Sequence, residues 1–176
     1  MTIERTIPQS VRREIDRQES PEFYLTFLTI THRVLVEPIR VVSDPKSFVL
    51  ADAGATDRTY LPYDFAIQIL SDSEGMPVAQ LTIQNIDRRI GKAIQEATEP
   101  ARILIEVCAA SEFDLTVDPR VETTTAERFY TADQLILHGV ECNPMQLTGS
   151  IRSWDYTQEL WPGMRATQDR FPGLFR

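Results

Sequence analysis

Ala79-Gln80-Leu81-Thr82-Ile83-Gln84 alternates apolar and polar residues without a break. A period of two is that of a β-strand with one face buried and the other in water. Downstream, Ile103, Ile105 and Val107 repeat it. Between the two runs Asn85-Ile86-Asp87 ends the first strand, and Ile90, Ala93, Ile94 and Ala97 fall at the i, i+3, i+4, i+7 spacing of one helix face. Asp87 is placed to accept from the free amides of the first turn. Glu99-Pro100 stops the helix, because the residue before a proline is driven out of the α region. The stretch therefore reads strand, helix over 87–98, strand. Its connection is also long enough for a parallel crossover.

Working outward, the remaining segments are rich in strand signals. Val11 to Gln18 is expected to form a short opening helix capped by Ser10, with Val11 and Ile15 on one face. Phe23-Tyr24-Leu25-Thr26-Phe27-Leu28-Thr29-Ile30-Thr31 is dense in aromatic and β-branched residues and predicts a strand buried on both faces. Arg33 to Val42 is expected to be the next strand, with Pro38 marking an edge or a bulge. Ser43-Asp44-Pro45-Lys46 turns the chain into Phe48-Val49-Leu50. Thr59 to Leu61 and Phe65 to Leu70 extend again, and the polar run 71–75 is a hairpin loop. Glu112 to Asp133 is polar and reads as an extended excursion at the domain rim. Gln134 to Cys142 and Met145 to Ile151 form a closing hairpin about Asn143-Pro144.

These segments give an N-terminal segment with a short helix over 1–20, a β-rich core domain over 21–154 and an extended C-terminal arm over 155–176. The fold class is mainly β (α+β), a β-sandwich or incomplete barrel with one packed helix. At 176 residues the chain is long enough to bury a core without disulfides or a structural metal. No run approaches the roughly 18 apolar residues of a membrane span, and the N-terminus is polar, so neither membrane insertion nor export is expected. Cys108 and Cys142 both fall in strand-like runs, where a reduced thiol acts as a small apolar group. No metal ligation or disulfide is expected of them.

The formal net charge is −8. Tight binding to a nucleic-acid backbone needs clustered Lys and Arg that displace counter-ions. Here the only adjacent basic pairs are Arg12-Arg13 and Arg88-Arg89, which suit solvated helix faces. No cofactor or catalytic set is expected either. The sequence has no phosphate-cradling glycine loop, no His-Glu-x-x-His helix and no Cys-x-x-Cys. His32 and His138 sit in strand-like runs without a local nucleophile or carboxylate partner. Asp52, Asp57, Asp64, Asp72 and Glu74 form an acidic string in or near loops, which suits a solvated rim better than a calcium loop. A hydrolase built from loops would have Asp64, Glu74 and His138 as its visible candidates.

From Asp155 onward periodicity disappears. Trp161, Phe171, Leu174 and Phe175 are large apolar groups, while Pro162, Pro172 and Gly173 keep their segment out of helix and central strand. Apolar anchors on such a segment are costly to leave in water, so the arm is expected to dock onto its own domain or a neighbour.

Pro62-Tyr63-Asp64-Phe65-Ala66-Ile67, Ala79 to Arg89, Ile103 to Ser111, Trp161-Pro162-Gly163-Met164-Arg165 and Asp169-Arg170-Phe171-Pro172-Gly173-Leu174 occur in that order. The ordered set resembles a family of minor tail proteins of long-tailed bacteriophages and spans roughly Phe23 to Leu174. The resemblance implies a tail-tube-like plan and a structural role at the tail tip or distal end of the tube. Implied partners are further copies in a ring, six suiting a tube and three a tip, and the neighbouring tail tube and hub proteins. Implied locations are the virion tail and, before assembly, the host cytoplasm. On this view the acidity lets DNA pass through a lumen without sticking. A tail assembly factor absent from the mature virion is the alternative that the same residues allow.

Overall fold

Tyr24–Thr31 is strand β1, and both of its faces are covered. Around it the computed structural model describes residues 9–51, 57–67, 78–84, 99–123, 126–143, 145–153 and 167–174. The other elements, in chain order, are helix α1 (Gln9–Ile15), β2 (Ile39–Val42), β3 (Phe48–Leu50), β4 (Arg58–Pro62), β5 (Phe65–Ile67) and β6 (Val78–Gln84). β7 (Arg102–Ala109), β8 (Phe113–Asp114), β9 (Arg120–Glu122), β10 (Tyr130–Cys142) and β11 (Gln146–Ser153) follow. The helix expected over 87–98 lies outside the described residues.

The protein is mainly β. Among the described residues, eleven strands join one open sheet in the order β5-β6-β11-β10-β7-β1-β2-β4-β3-β9-β8. Neighbours are antiparallel except β2 with β4 and β3 with β9. The expected closing hairpin is β10–β11, and it is inserted between β6 and β7. Those two strands are therefore not neighbours, and the alternating antiparallel pairs make them run in opposite directions. A parallel crossover between them is excluded.

Strand alternation explains the core. Leu28 and Ile30 point to one side of β1 and join Val41, Leu81, Ile83, Ile103, Ile105, Leu147 and Ile151. Leu25 and Phe27 point to the other side and join Val42, Phe48, Leu50, Tyr60, Cys108 and Phe113. The second cluster is aromatic, with Phe27 edge-on to Phe48 and Tyr60 at 5.6 and 5.0 Å between ring centroids. The sheet thus supplies two cores on opposite faces of its central strands, consistent with an incomplete barrel.

Several expectations differ from what is found. Helix α1 already includes Gln9 and ends at Ile15, so Ser10 lies within its first turn rather than capping it. Of Arg33 to Val42, only Ile39–Val42 is strand. His32 organises a turn before it: Leu35 N–H donates to His32 O at 3.0 Å, and Val34 N–H donates to His32 Nδ1 at 3.1 Å. The polar excursion after Glu112 is not simply extended, because it contributes β8, β9 and the start of β10. In β10 the register slips between His138 and Glu141, and Gly139 supplies the positive φ of 60° that the bulge requires. Among the described residues, no helix is long and apolar enough to cross a membrane.

Candidate functional site

β7 runs Ile103-Leu104-Ile105-Glu106-Val107-Cys108, and its acidic member is only 4% exposed. Glu106 falls on the β7 face that carries Cys108, the side of the aromatic core. An ionised carboxylate there needs partners, since desolvating an unpaired charge is costly. Arg58 from β4 donates through Nη1 to Oε2 at 3.1 Å. Arg128, just before β10, brings Nε to 2.7 Å from Oε1. That Nε lacks a well-aligned hydrogen bond, so this leg is a charge contact. Tyr60 Oη donates to Oε2 at 3.1 Å. Because the phenol has one proton, Thr29 Oγ1, also 3.1 Å from Tyr60 Oη, is the donor of that pair.

Burial is the first cause that pushes the Tyr60 hydroxyl up to about 12, which keeps it protonated and donating. Burial likewise pushes the Cys108 thiol up to about 12, where little nucleophilic thiolate forms at neutral pH. The chemistry of the cluster is cohesion. One carboxylate ties β7 to β4 and to the approach to β10, and Arg128 Nη2 donates onward to Ala51 O at 3.3 Å.

A second pair locks the far end of the sheet. Arg120 Nη1 lies 3.0 Å from both Oδ1 and Oδ2 of Asp44, and its guanidinium carbon sits 5.3 Å from the Phe48 ring centroid. Nearby, Glu112 Oε2 accepts from Glu127 N–H at 2.7 Å. Burial, more than the neighbouring Glu127, Glu122 and Glu22, still holds the Glu112 carboxyl above its ordinary value.

The hydrolase candidates do not converge. Asp64 is exposed, and its Oδ2 accepts from Gln84 Nε2 at 2.7 Å. His138 is exposed in the row of Ser150 and Gln80. Gln80 and Gln84 are four residue steps apart on β6, about 13 Å along the strand. Glu74, Asp52 and Asp72 lie outside the described residues, and Asp57 is an exposed rim residue. His32 is a staple: with Nδ1 accepting from Val34, its Nε2–H donates to Glu99 O at 2.9 Å. Among the described residues no group of three or more His, Cys, Asp or Glu is placed to hold a metal ion. Cys108 is buried as expected, whereas Cys142, at the end of β10, is exposed.

Of the expected arm, Phe171, Pro172, Gly173 and Leu174 are described, while Trp161, Pro162 and Phe175 are outside the described residues. The described part is coiled rather than extended. Arg170 N–H and Phe171 N–H both donate to Thr167 O, at 3.1 and 2.8 Å, and Leu174 N–H donates to Phe171 O at 3.0 Å. This turn presents Phe171 at 39% and Leu174 at 70% exposure. Elsewhere, a surface groove of about 560 Å³ runs between the turn before β2 and strand β4. Its apolar walls include Val36, Ile39, Leu61 and Tyr63, and Glu37 and Asp57 line it as well.

The model of one family, Domain of unknown function (DUF1833), matches residues 10–166. The chain belongs to that family. The DUF1833 match takes in every strand of the described residues and both cores and ends ahead of the Phe171–Leu174 turn. No curated protein and no solved structure matches the chain.

Proposed function

We propose that the protein is a structural minor tail protein of a long-tailed bacteriophage, part of the tail tip or distal end of the tail tube, and not an enzyme. The observation that carries this reading is the Phe171–Leu174 turn. Large apolar side chains stand in water on a segment held together by its own hydrogen bonds. Such groups gain most when a neighbour encloses them. The ordered resemblance to phage tail proteins supplies the kind of neighbour, further copies in a closed ring together with the tube and hub proteins. Closed symmetry repeats each anchor around the ring. The net charge of −8 suits a lumen wall past which DNA slides, since like charge discourages adhesion.

The test is made on phage particles. Mass spectrometry of purified virions is expected to find the chain at a copy number that is a multiple of three, and gold-labelled antibody is expected to decorate one end of the tail. A protein present in infected cells yet missing from purified virions would sink the structural reading and favour an assembly factor.

A further inference from the structure

We infer that the open sheet face bearing Arg40, Arg102 and Arg152 binds the acidic patch of Glu22, Glu112, Glu122 and Glu127 on a second copy of this chain. Strand register puts the arginines together. Arg102 of β7 and Arg152 of β11 both lie opposite Ile136 of β10, so one row holds them, about 10 Å apart at the backbone. Thr31 of β1 also lies opposite Arg102, and Thr29, two residues back, lies opposite Arg40 of β2, which brings Arg40 to the same face. Among the described residues, ion pairs engage Arg17, Lys46, Arg58, Arg120 and Arg128 but none of these three. The Nε atoms of Arg40 and Arg152 are buried without a hydrogen-bond partner. Acids on the same strands do not answer them. Glu106 is taken by Arg58 and Arg128, Asp133 stands in a register slip of β10, and Glu141 lies opposite Thr148, four residue steps from Arg152 and about 13 Å along β11. Val78, next to Arg152 in the row, is 64% exposed, so the arginines border bare apolar surface.

Charge selects the partner. At the other end of β1 and β7, Glu22 accepts through Oε1 from Ser111 N–H at 2.9 Å, Glu112 through Oε2 from Glu127 N–H at 2.7 Å, and Glu122 through Oε2 from Ala126 N–H at 3.2 Å. Backbone amides thus fix three carboxylates in place, and Glu122 Oε1 is left without a hydrogen-bond partner. Among the described residues, none of the four glutamates has an ion pair. They are close enough to act on one another, since the charges of Glu127, Glu122 and Glu22 add to burial in holding the Glu112 carboxyl up. Thr31 pairs with Arg102 and Tyr24 with Ala109, so seven residue steps, about 24 Å, separate the arginine end of these strands from the acid end. No side chain spans that gap within one molecule. Two copies set head to tail bring the unpaired arginines onto the unpaired carboxylates, and a contact between unlike surfaces either closes into a ring or propagates. Arginines around an apolar centre are typical of such interfaces. Closure also hides the arginines and leaves the remaining surface more acidic. The inference rests on the ring reading above and gives it a contact.

The experiment uses the full chain. Sedimentation velocity is run on the native protein, on Arg102→Glu/Arg152→Glu, on Glu22→Lys/Glu127→Lys, and on the chain carrying all four changes. Self-association of the native protein is expected, weaker as salt is raised and weakened at least about tenfold by either pair of reversals, because like charges then face each other. An equimolar mixture of the two variants is expected to regain association, since each native patch finds its native counterpart and each reversed patch a reversed one. The chain with all four changes is expected to self-associate again, a rescue that a misfolded variant cannot imitate. A monomeric native protein, variants that sediment like it, or a mixture and a fourfold variant that both stay monomeric would overturn the inference. A monomeric native protein whose Arg102→Glu/Arg152→Glu variant no longer enters tails would give the arginine face to a different acidic protein and overturn it equally. Virion incorporation is scored separately: a chain found in tails that never self-associates defeats this contact alone, and one that self-associates but is absent from tails defeats the tail reading alone.

Discussion

Glu106→Gln isolates what the buried carboxylate contributes. The carboxamide keeps the shape of the side chain but removes its charge, leaving the guanidinium groups of Arg58 and Arg128 beside a neutral partner. Their side chains are 14% and 26% exposed, against 5% for Glu106. Removing one partner of a buried ion pair costs about 3–5 kcal/mol. Water reaches a quarter of Arg128, so the lower end applies, about 3 kcal/mol. In a domain of this size that corresponds to a fall of about 6–12 °C in Tm. Urea unfolding is the suitable assay, since a shift in midpoint at constant slope reports stability itself. A companion variant, Glu106→Leu with Arg58→Met and Arg128→Met, removes all three charges and should recover most of the loss, because well-packed apolar groups replace buried ion clusters at little cost. A loss below about 1 kcal/mol for Glu106→Gln, the range of exposed pairs, would refute the reading of this cluster as a buried lock.

Glu112→Gln is expected to stabilise the protein at pH 7. The native carboxyl is held above its ordinary value by burial, so its contribution is fully present below the unfolded-state value and lost as pH rises through the folded one. The gain measured by thermal unfolding should therefore shrink as pH is lowered through the carboxylate range. A thiol reagent should modify one cysteine of the folded protein, the exposed Cys142, and reach the buried Cys108 only after unfolding; two fast-reacting thiols would contradict the burial. Gly149→Ala would bring a Cβ to 2.7 Å from Leu137 Cδ1, an overpacking expected to cost about 1–3 kcal/mol in chemical denaturation, and no loss would mean that Leu137 has room to move.

Periodicity made the central strands legible. The aromatic and β-branched run at Phe23–Thr31 became β1 with two covered faces, and the alternation at Ala79–Gln84 became the buried pattern of β6. The failures have physical causes. Arg33–Glu37 carries strand-forming valines, but the His32 side chain offers the backbone a turn instead, and Pro38 lacks the amide a ladder needs. The short strand β9 is held by distant pairing with β3, and β8 is held in turn by β9, an arrangement that no local period announces. The Glu106 cluster draws on Thr29, Arg58, Tyr60 and Arg128, so spacing could not assemble it. One signal was present: an acid in the middle of a strand with both neighbours apolar has to be paired. The turn at Phe171–Leu174 was legible as a set of anchors but not as a coil, because a single 3-10 turn leaves no repeat to detect.

The insertion of hairpin β10–β11 between β6 and β7 bears on how the chain is made. During synthesis the N-terminal part emerges first, at about 5–20 residues per second. β1 must wait for β7, since Tyr24 pairs with Ala109, and β6 must wait longer, since Val78 pairs with Arg152. Until then Leu81 and Ile83, which end fully buried, are borne by a nascent strand that lacks the whole of β11. Long-range pairing of this kind folds slowly and leaves edges open to other chains. A chain that terminates before Gln146 lacks β11 altogether and leaves the edge of β6 open to pairing with other chains.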